Sequence, residues 1–176
     1  VREVWDVETK VPTPVAKEPI GQLQLSPENL DIIKRAMIGV NIQGTSATSF
    51  VGAQYVSAGK TGTAQVFTVK QNEKYNAATV DERLRDHALF IAFAPADDPK
   101  VALAMVVENS GFGAQNAAPI ARRVLDFVIL GQYPSEEDIA AVQKGQATRP
   151  IGKPRDVANL PWPPKTITAA AKPEKP

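Results

Sequence analysis

Two apolar runs joined by a turn sequence constrain the fold of this chain most. His87-Ala88-Leu89-Phe90-Ile91-Ala92-Phe93-Ala94 and the valine-rich stretch 100–107 flank Ala96-Asp97-Asp98-Pro99. Runs of that length, rich in β-formers and linked through Asp and Pro at turn positions, predict an antiparallel hairpin. A further strand is expected at Ala58-Gly59-Lys60-Thr61-Gly62-Thr63-Ala64-Gln65-Val66-Phe67, where Tyr55, Val56, Val66 and Phe67 supply β-favouring flanks. Gly59 and Gly62 remove side chains at points where another backbone or a ligand could come close. Lys60 adds a positive charge, Thr61 and Thr63 add hydroxyl donors, and the unpaired N–H groups of such a strand can meet a developing oxyanion.

Helix signals surround these strands. Ser26 reads as an N-cap, followed by Pro27 and Glu28 in the first turn, and Leu30, Ile33, Met37 and Val40 recur as one apolar face that calls for burial. Pro119 opens a second helix, with Ile120, Val124, Leu125 and Val128 on one face and Gly131 as the stop. Ser135-Glu136-Glu137-Asp138 starts a third, short helix that Gly145 ends. Gly44-Thr45-Ser46-Ala47-Thr48-Ser49 is either a loop or the cap of a short helix. Thr79 and Glu82 suggest a capping box before a helical turn through Arg85. The excursion 68–86 could shape the mouth of a site or simply be solvated. The element order gives an α+β fold, an antiparallel sheet with packed helices. Residues 1–25 read as an extended connecting segment with a short strand at Val4-Trp5-Asp6-Val7, 26–145 as the folded body, and 146–176 as a Pro-rich tail too poor in apolar residues to fold alone.

Composition excludes several functions. Twenty Lys and Arg against 19 Asp and Glu leave no basic surplus, so nucleic acid is not an expected partner. The absence of cysteine removes disulfides, cysteine nucleophiles and thiolate metal sites. Asp97 and Asp98 read as turn residues rather than metal ligands, and His87, the sole histidine, reads as structural. Gly111-Phe112-Gly113 lacks the third glycine of a dinucleotide fingerprint, so no cofactor and no metal are expected.

Lys60-Thr61-Gly62 is one of three short motifs of penicillin-binding proteins. Together with the run 59–66, Tyr75-Asn76-Ala77, Glu82-Arg83-Leu84-Arg85-Asp86-His87, Ala92-Phe93-Ala94-Pro95 and Val106-Val107-Glu108-Asn109, it makes the region 26–131 resemble the C-terminal half of a class B penicillin-binding protein of the elongation-specific kind. The resemblance implies the C-terminal half of a serine-transpeptidase (β-lactamase-like) fold, with 26–145 as its transpeptidase portion. It also implies a D,D-transpeptidase that cross-links peptidoglycan stem peptides ending in D-Ala-D-Ala and is acylated by β-lactams. Lys60 would then tune the catalytic network and orient substrate, Thr61 would hold the substrate carboxylate, Gly62 would keep the strand open, and Thr63 would lend its N–H to the oxyanion hole. Neither Ser26-Pro27-Glu28-Asn29 nor Ser46-Ala47-Thr48 fits Ser-x-x-Lys or Ser-x-Asn, so the nucleophile is expected upstream of Val1 and the chain alone is expected to be inactive. The upstream part of the same protein, a membrane glycan polymerase, and a periplasmic position anchored upstream to the inner membrane complete the implied setting. A division-specific transpeptidase, a non-catalytic penicillin-binding or cell-wall module, and a plain structural α+β domain remain open alternatives at this level.

Overall fold

The computed structural model describes residues 2–16, 21, 24–68, 76, 79–146, 148–156 and 158. It divides into two compact units, Val1–Asp31 and Ile32–Pro176. In the first, β1 (Glu3–Trp5) pairs antiparallel with β2 (Pro12–Pro14). The strand expected through Val7 stops at Trp5. Asp6 begins a side-chain-capped turn, its carboxylate accepting the Thr9 N–H at 2.7 Å, the Glu8 N–H at 3.0 Å and the Thr9 hydroxyl at 2.9 Å. These bonds, the Thr9 N–H foremost, hold the Asp6 carboxyl below the usual carboxylate range.

The second unit is built on β3 (Ala58–Ala64), β4 (His87–Ala94) and β5 (Val101–Val107), one antiparallel sheet in the order β3-β4-β5. The predicted hairpin is β4-β5, and Lys100 pairs with Asp98 beside its turn. Cross-strand partners share a face, so Thr61, Phe90 and Met105 lie together, as do Gly59, Ala92 and Leu103. On that face Ala88, Phe90, Ala92 and Ala94 are buried, whereas Ile91 and Val106 on the other are exposed. Helices α2 (Ala47–Phe50) and α4 (Ala118–Leu130), with Ala117 between α3 (Gly113–Asn116) and α4, contribute to the core over the buried face. Much of that core is alanine, which lets α4 approach the strands closely, while the Phe50 and Phe90 rings stack with centroids 5.9 Å apart.

Two helices bury other faces than their apolar patterns suggest. In α4 the buried residues are Ala118, Pro119, Ala121, Arg122, Leu125 and Asp126, while Ile120, Val124 and Val128 stay exposed. Arg122 is buried at 5% exposure with partners for its Nε and Nη1. Its Nε donates to Asp126 at 2.8 Å, and Nη1 donates to the carbonyls of Ser49 at 3.3 Å and Val51 at 3.2 Å. Tyr55 closes the network by donating to Asp126 at 2.9 Å, and burial, reinforced by that carboxylate, pushes its phenol pKa up. The helix α1 (Pro27–Ile42) starts as expected, with Ser26 Oγ accepting the Asn29 N–H at 3.1 Å. Leu30 and Ile33 are nevertheless exposed, and its single buried residue is Asn41.

Three local features differ from the sequence reading for identifiable reasons. The 3-10 turn Glu82–Leu84 is capped by Asp81, whose carboxylate accepts the Arg83 N–H at 2.9 Å, because Asp81 stands directly before the turn and Thr79 does not. Ser46 precedes α2 without capping it, since its hydroxyl donates elsewhere. The stretch expected to be tail from 146 onward begins as structured chain. There β7 (Arg155–Asp156) pairs with β6 (Gln132–Tyr133), and Ser135, the N-cap of α5 (Glu136–Gln143), donates to the Ile151 carbonyl at 2.8 Å. Body side chains there meet the polar groups of a Pro-rich backbone that cannot form a full ladder of its own. The remainder, 159–176 with Trp162, lies outside the described residues, as do 69–75 and 77–78 of the excursion before β4. His87 opens β4 with a structural bond, its Nδ1 accepting the Asn109 N–H at 2.9 Å. Among the described residues no helix is long and apolar enough to cross a membrane.

Candidate active site

Strand β3 occupies one edge of the sheet, so its outer side faces no further strand. Alternation sends Gly59, Thr61 and Thr63 to the helix-covered face, where β3 overhangs the core and meets α3. Thr61, Gly62 and Thr63 line a groove there of about 290 Å³ together with Thr45, Phe112, Gly113, Ala114 and Gln115. Lys60 points to the opposite face, is exposed, and donates from Nζ to the Thr61 carbonyl at 2.7 Å. The strand thus brings three of the four predicted residues to one groove and leaves the Lys60 side chain behind it.

The two glycines of the strand serve different neighbours. A Cβ on Gly59 would lie 2.6 Å from Phe90 Cζ and 3.0 Å from Asn41 Oδ1, so protein groups rather than a ligand occupy that space. Gly62 is approached from the groove side by Gly113, whose own Cβ would fall 2.2 Å from the Leu89 carbonyl oxygen and 2.5 Å from that of Gly62. Gly113, set aside on sequence as part of an incomplete fingerprint, is therefore what lets α3 rest on the β3-β4 ladder. Its signal was present only as a glycine with no turn to explain it. Gly113→Ala is expected to lower stability by about 2 kcal/mol, because backbone atoms cannot yield but a four-residue helix can lift away. A thermal melt within error of wild type would show that α3 does not sit so close.

One Ser-x-x-Lys spacing does occur in the chain, Ser57-Ala58-Gly59-Lys60, contrary to the expectation that the chain holds none. In a helix, i and i+3 share a side, but in extended chain they point to opposite faces. Ser57 is 4% exposed and its Oγ accepts from Asn41 Nδ2 at 2.8 Å, while Lys60 lies on the other face. The pair cannot act as nucleophile and base.

Thr45, on sequence only part of a loop or helix cap, is a further groove residue. Its Oγ1 lies 2.9 Å from Thr61 Oγ1. A second pocket, of about 220 Å³, is lined by Arg122, Arg123, Asp126, Ser135 and Asp138, but these charges already pair with one another. Among the described residues no group of acidic or histidine side chains could hold a metal.

Residues 4–126 match the family model for the penicillin-binding protein transpeptidase domain. The chain belongs to that family. Over 106 residues it is 47% identical to the peptidoglycan D,D-transpeptidase MrdA of Haemophilus influenzae, covering 59% of this chain and 16% of that protein. Over 121 residues it is 40% identical to the MrdA of Acinetobacter baumannii, covering 68% of this chain and 18% of that one. The crystal structure of Pseudomonas aeruginosa PBP2 in complex with WCK 5153 superposes with a TM-score of 0.54 at 36% identity, covering 66% of this chain and 23% of that one. The α+β fold is that of a penicillin-binding transpeptidase domain, and the chain spans less than a fifth of the curated relatives named here.

Proposed function

We propose that this chain is the C-terminal portion of the transpeptidase domain of a serine-type peptidoglycan D,D-transpeptidase of the elongation-specific kind, with residues 26–145 in that role. The observation that carries the reading is the position of Lys60-Thr61-Gly62-Thr63 on an open sheet edge, with both threonines lining one groove. In this reading a serine supplied from outside the chain attacks the carbonyl of the penultimate D-Ala of a stem peptide. The terminal D-Ala leaves as its free amine, and an amine of a neighbouring stem then displaces the serine to form the cross-link. β-Lactams acylate the same serine.

The remaining roles belong to the same reading. The Thr61 hydroxyl donates to the substrate carboxylate, which is charged and so makes a stronger bond than a neutral acceptor would. Gly62 leaves the edge without a side chain, and the Thr63 N–H forms half of an oxyanion hole, a donor typically contributing about 3 kcal/mol to acyl transfer. Lys60, held at the Thr61 carbonyl, adds positive potential along the edge from behind the strand. Stem peptides, β-lactams, the upstream part of the protein and a membrane glycan polymerase are the partners in this reading, at the periplasmic face of the inner membrane.

Labelling with a fluorescent penicillin, followed by denaturing electrophoresis, tests the proposal. The longer protein that contains this chain is expected to carry the label and the 176-residue chain alone to carry none. A covalent label on the isolated chain, at Ser57 or elsewhere, would show that the nucleophile has been misplaced. An unlabelled longer protein would remove the transpeptidase reading altogether.

A further inference from the structure

We propose that Thr45 is a positioning residue for the Thr61 hydroxyl, setting which way its proton points and so preparing the groove for a carboxylate. The inference rests on the reading of β3 as a carboxylate-binding strand. Thr45 follows Gly44, whose own Cβ would stand 2.7 Å from Val40 Cα, so the chain folds back against the last turn of α1 more tightly than a side chain would allow. The fold-back is fastened by the N–H of Gly44 donating to the Gly39 carbonyl at 2.9 Å and by the N–H of Ser46 donating to the Val40 carbonyl at 3.2 Å. Below it lies a buried polar chain. Ser46 Oγ is within hydrogen-bond distance of Asn41 Oδ1, at 2.6 Å, and Asn41 Nδ2 donates to Ser57 Oγ at 2.8 Å, one residue before β3 begins. Ser46, Asn41 and Ser57 are 1%, 5% and 4% exposed, so α1, the fold-back and the start of β3 are tied together out of reach of water.

That tie fixes the 2.9 Å approach of the two threonine hydroxyls at the rim of the groove. Each hydroxyl has one proton to give. If Thr61 gives its proton to Thr45, none is left for an anion. If Thr45 donates to Thr61, the Thr61 proton is free to meet a carboxylate, and the donated bond polarises that hydroxyl further. A carboxylate in the groove selects the second arrangement. The Thr45 oxygen keeps its lone pairs toward solvent at an exposed position.

Acylation of the longer protein by benzylpenicillin and by benzylpenicillin methyl ester, which lacks the charged carboxylate, tests this. Thr45→Val is expected to slow acylation by the free acid roughly three- to tenfold, the rate equivalent of one hydrogen bond, and Thr45→Ser to restore it to within about twofold. The methyl ester should be slowed less than about twofold, and Thr45→Val combined with Thr61→Val should be no slower than Thr61→Val alone, since the first residue acts only through the second. Thermal melts accompany each variant, and Thr45→Ala replaces Thr45→Val if the latter melts early. Equal slowing of acid and ester, or multiplying effects in the double variant, overturns the inference. So does a Thr45→Val rate within about twofold of wild type while Thr61→Val is slow, and that outcome leaves the reading of β3 intact. If Thr61→Val itself acylates normally, the reading of β3 fails and this inference fails with it.

Discussion

Replacing Thr61 by valine in the longer protein is expected to slow acylation by benzylpenicillin roughly ten- to hundredfold while changing stability by no more than about 1 kcal/mol. Valine keeps the branched shape and suits a strand at least as well, so the pairing of Thr61 with Phe90 should persist. What disappears is one donor, and a hydrogen bond to a charged group is typically worth about 1.5–3 kcal/mol. The folded state loses only the exposed contact with Thr45, which water can replace. Thr61→Ala should fall in the same range, and agreement between the two variants separates hydrogen bonding from packing. Second-order acylation constants measured beside thermal melts decide the matter. Rates for both variants within about twofold of wild type, less than 0.5 kcal/mol of barrier, would remove β3 from substrate binding.

Asp138→Ala should have the largest effect on stability, about 3–5 kcal/mol, without touching the groove. Asp138 is fully buried in the first turn of α5 and takes two bonds from Arg123, Nε at 2.8 Å and Nη2 at 2.6 Å. It also accepts the Ile151 N–H at 3.3 Å, so one carboxylate ties α4, α5 and the stretch leading to β7. Alanine would leave the Arg123 guanidinium, with its side chain only 12% exposed, facing an emptied pocket. The expected fall in Tm is roughly 6–20 °C for a domain of this size. Replacing both partners with apolar residues, Arg123→Met with Asp138→Leu, should recover much of the loss, because no uncompensated charge remains. A single Asp138→Ala variant melting within about 2 °C of wild type would mean that the pair does not hold these elements together.

The hairpin β4-β5, the strand β3 and the caps of α1 and α5 were legible in the chain because each depends on near neighbours: turn chemistry between two apolar runs, glycines among β-formers, a hydroxyl before a first turn. The Lys60-Thr61-Gly62-Thr63 run was legible for the same reason, being four consecutive residues. Which side of each helix would be buried was not. Of the expected apolar stripe of α4, Ile120, Val124, Leu125 and Val128, only Leu125 is buried: the sheet is lined with Ala88, Ala92 and Ala94, and α4 turns Ala118, Ala121 and Leu125 to it and buries Arg122 beside Asp126 and Tyr55. That choice depends on partners 71 residues apart in the chain. The same holds for the groove. Gly113 over Gly62, and Thr45 beside Thr61, are contacts between segments whose separation carries no periodic or compositional trace. Strand alternation likewise placed Lys60 on the face opposite Thr61 and made Ser57-Ala58-Gly59-Lys60 a spacing without chemistry. Local sequence thus determined the elements and the residues that could act, because backbone preference and turn chemistry are short-range. Tertiary structure alone decided which of those residues face one another, because that is settled by close packing and by buried polar groups finding partners far along the chain.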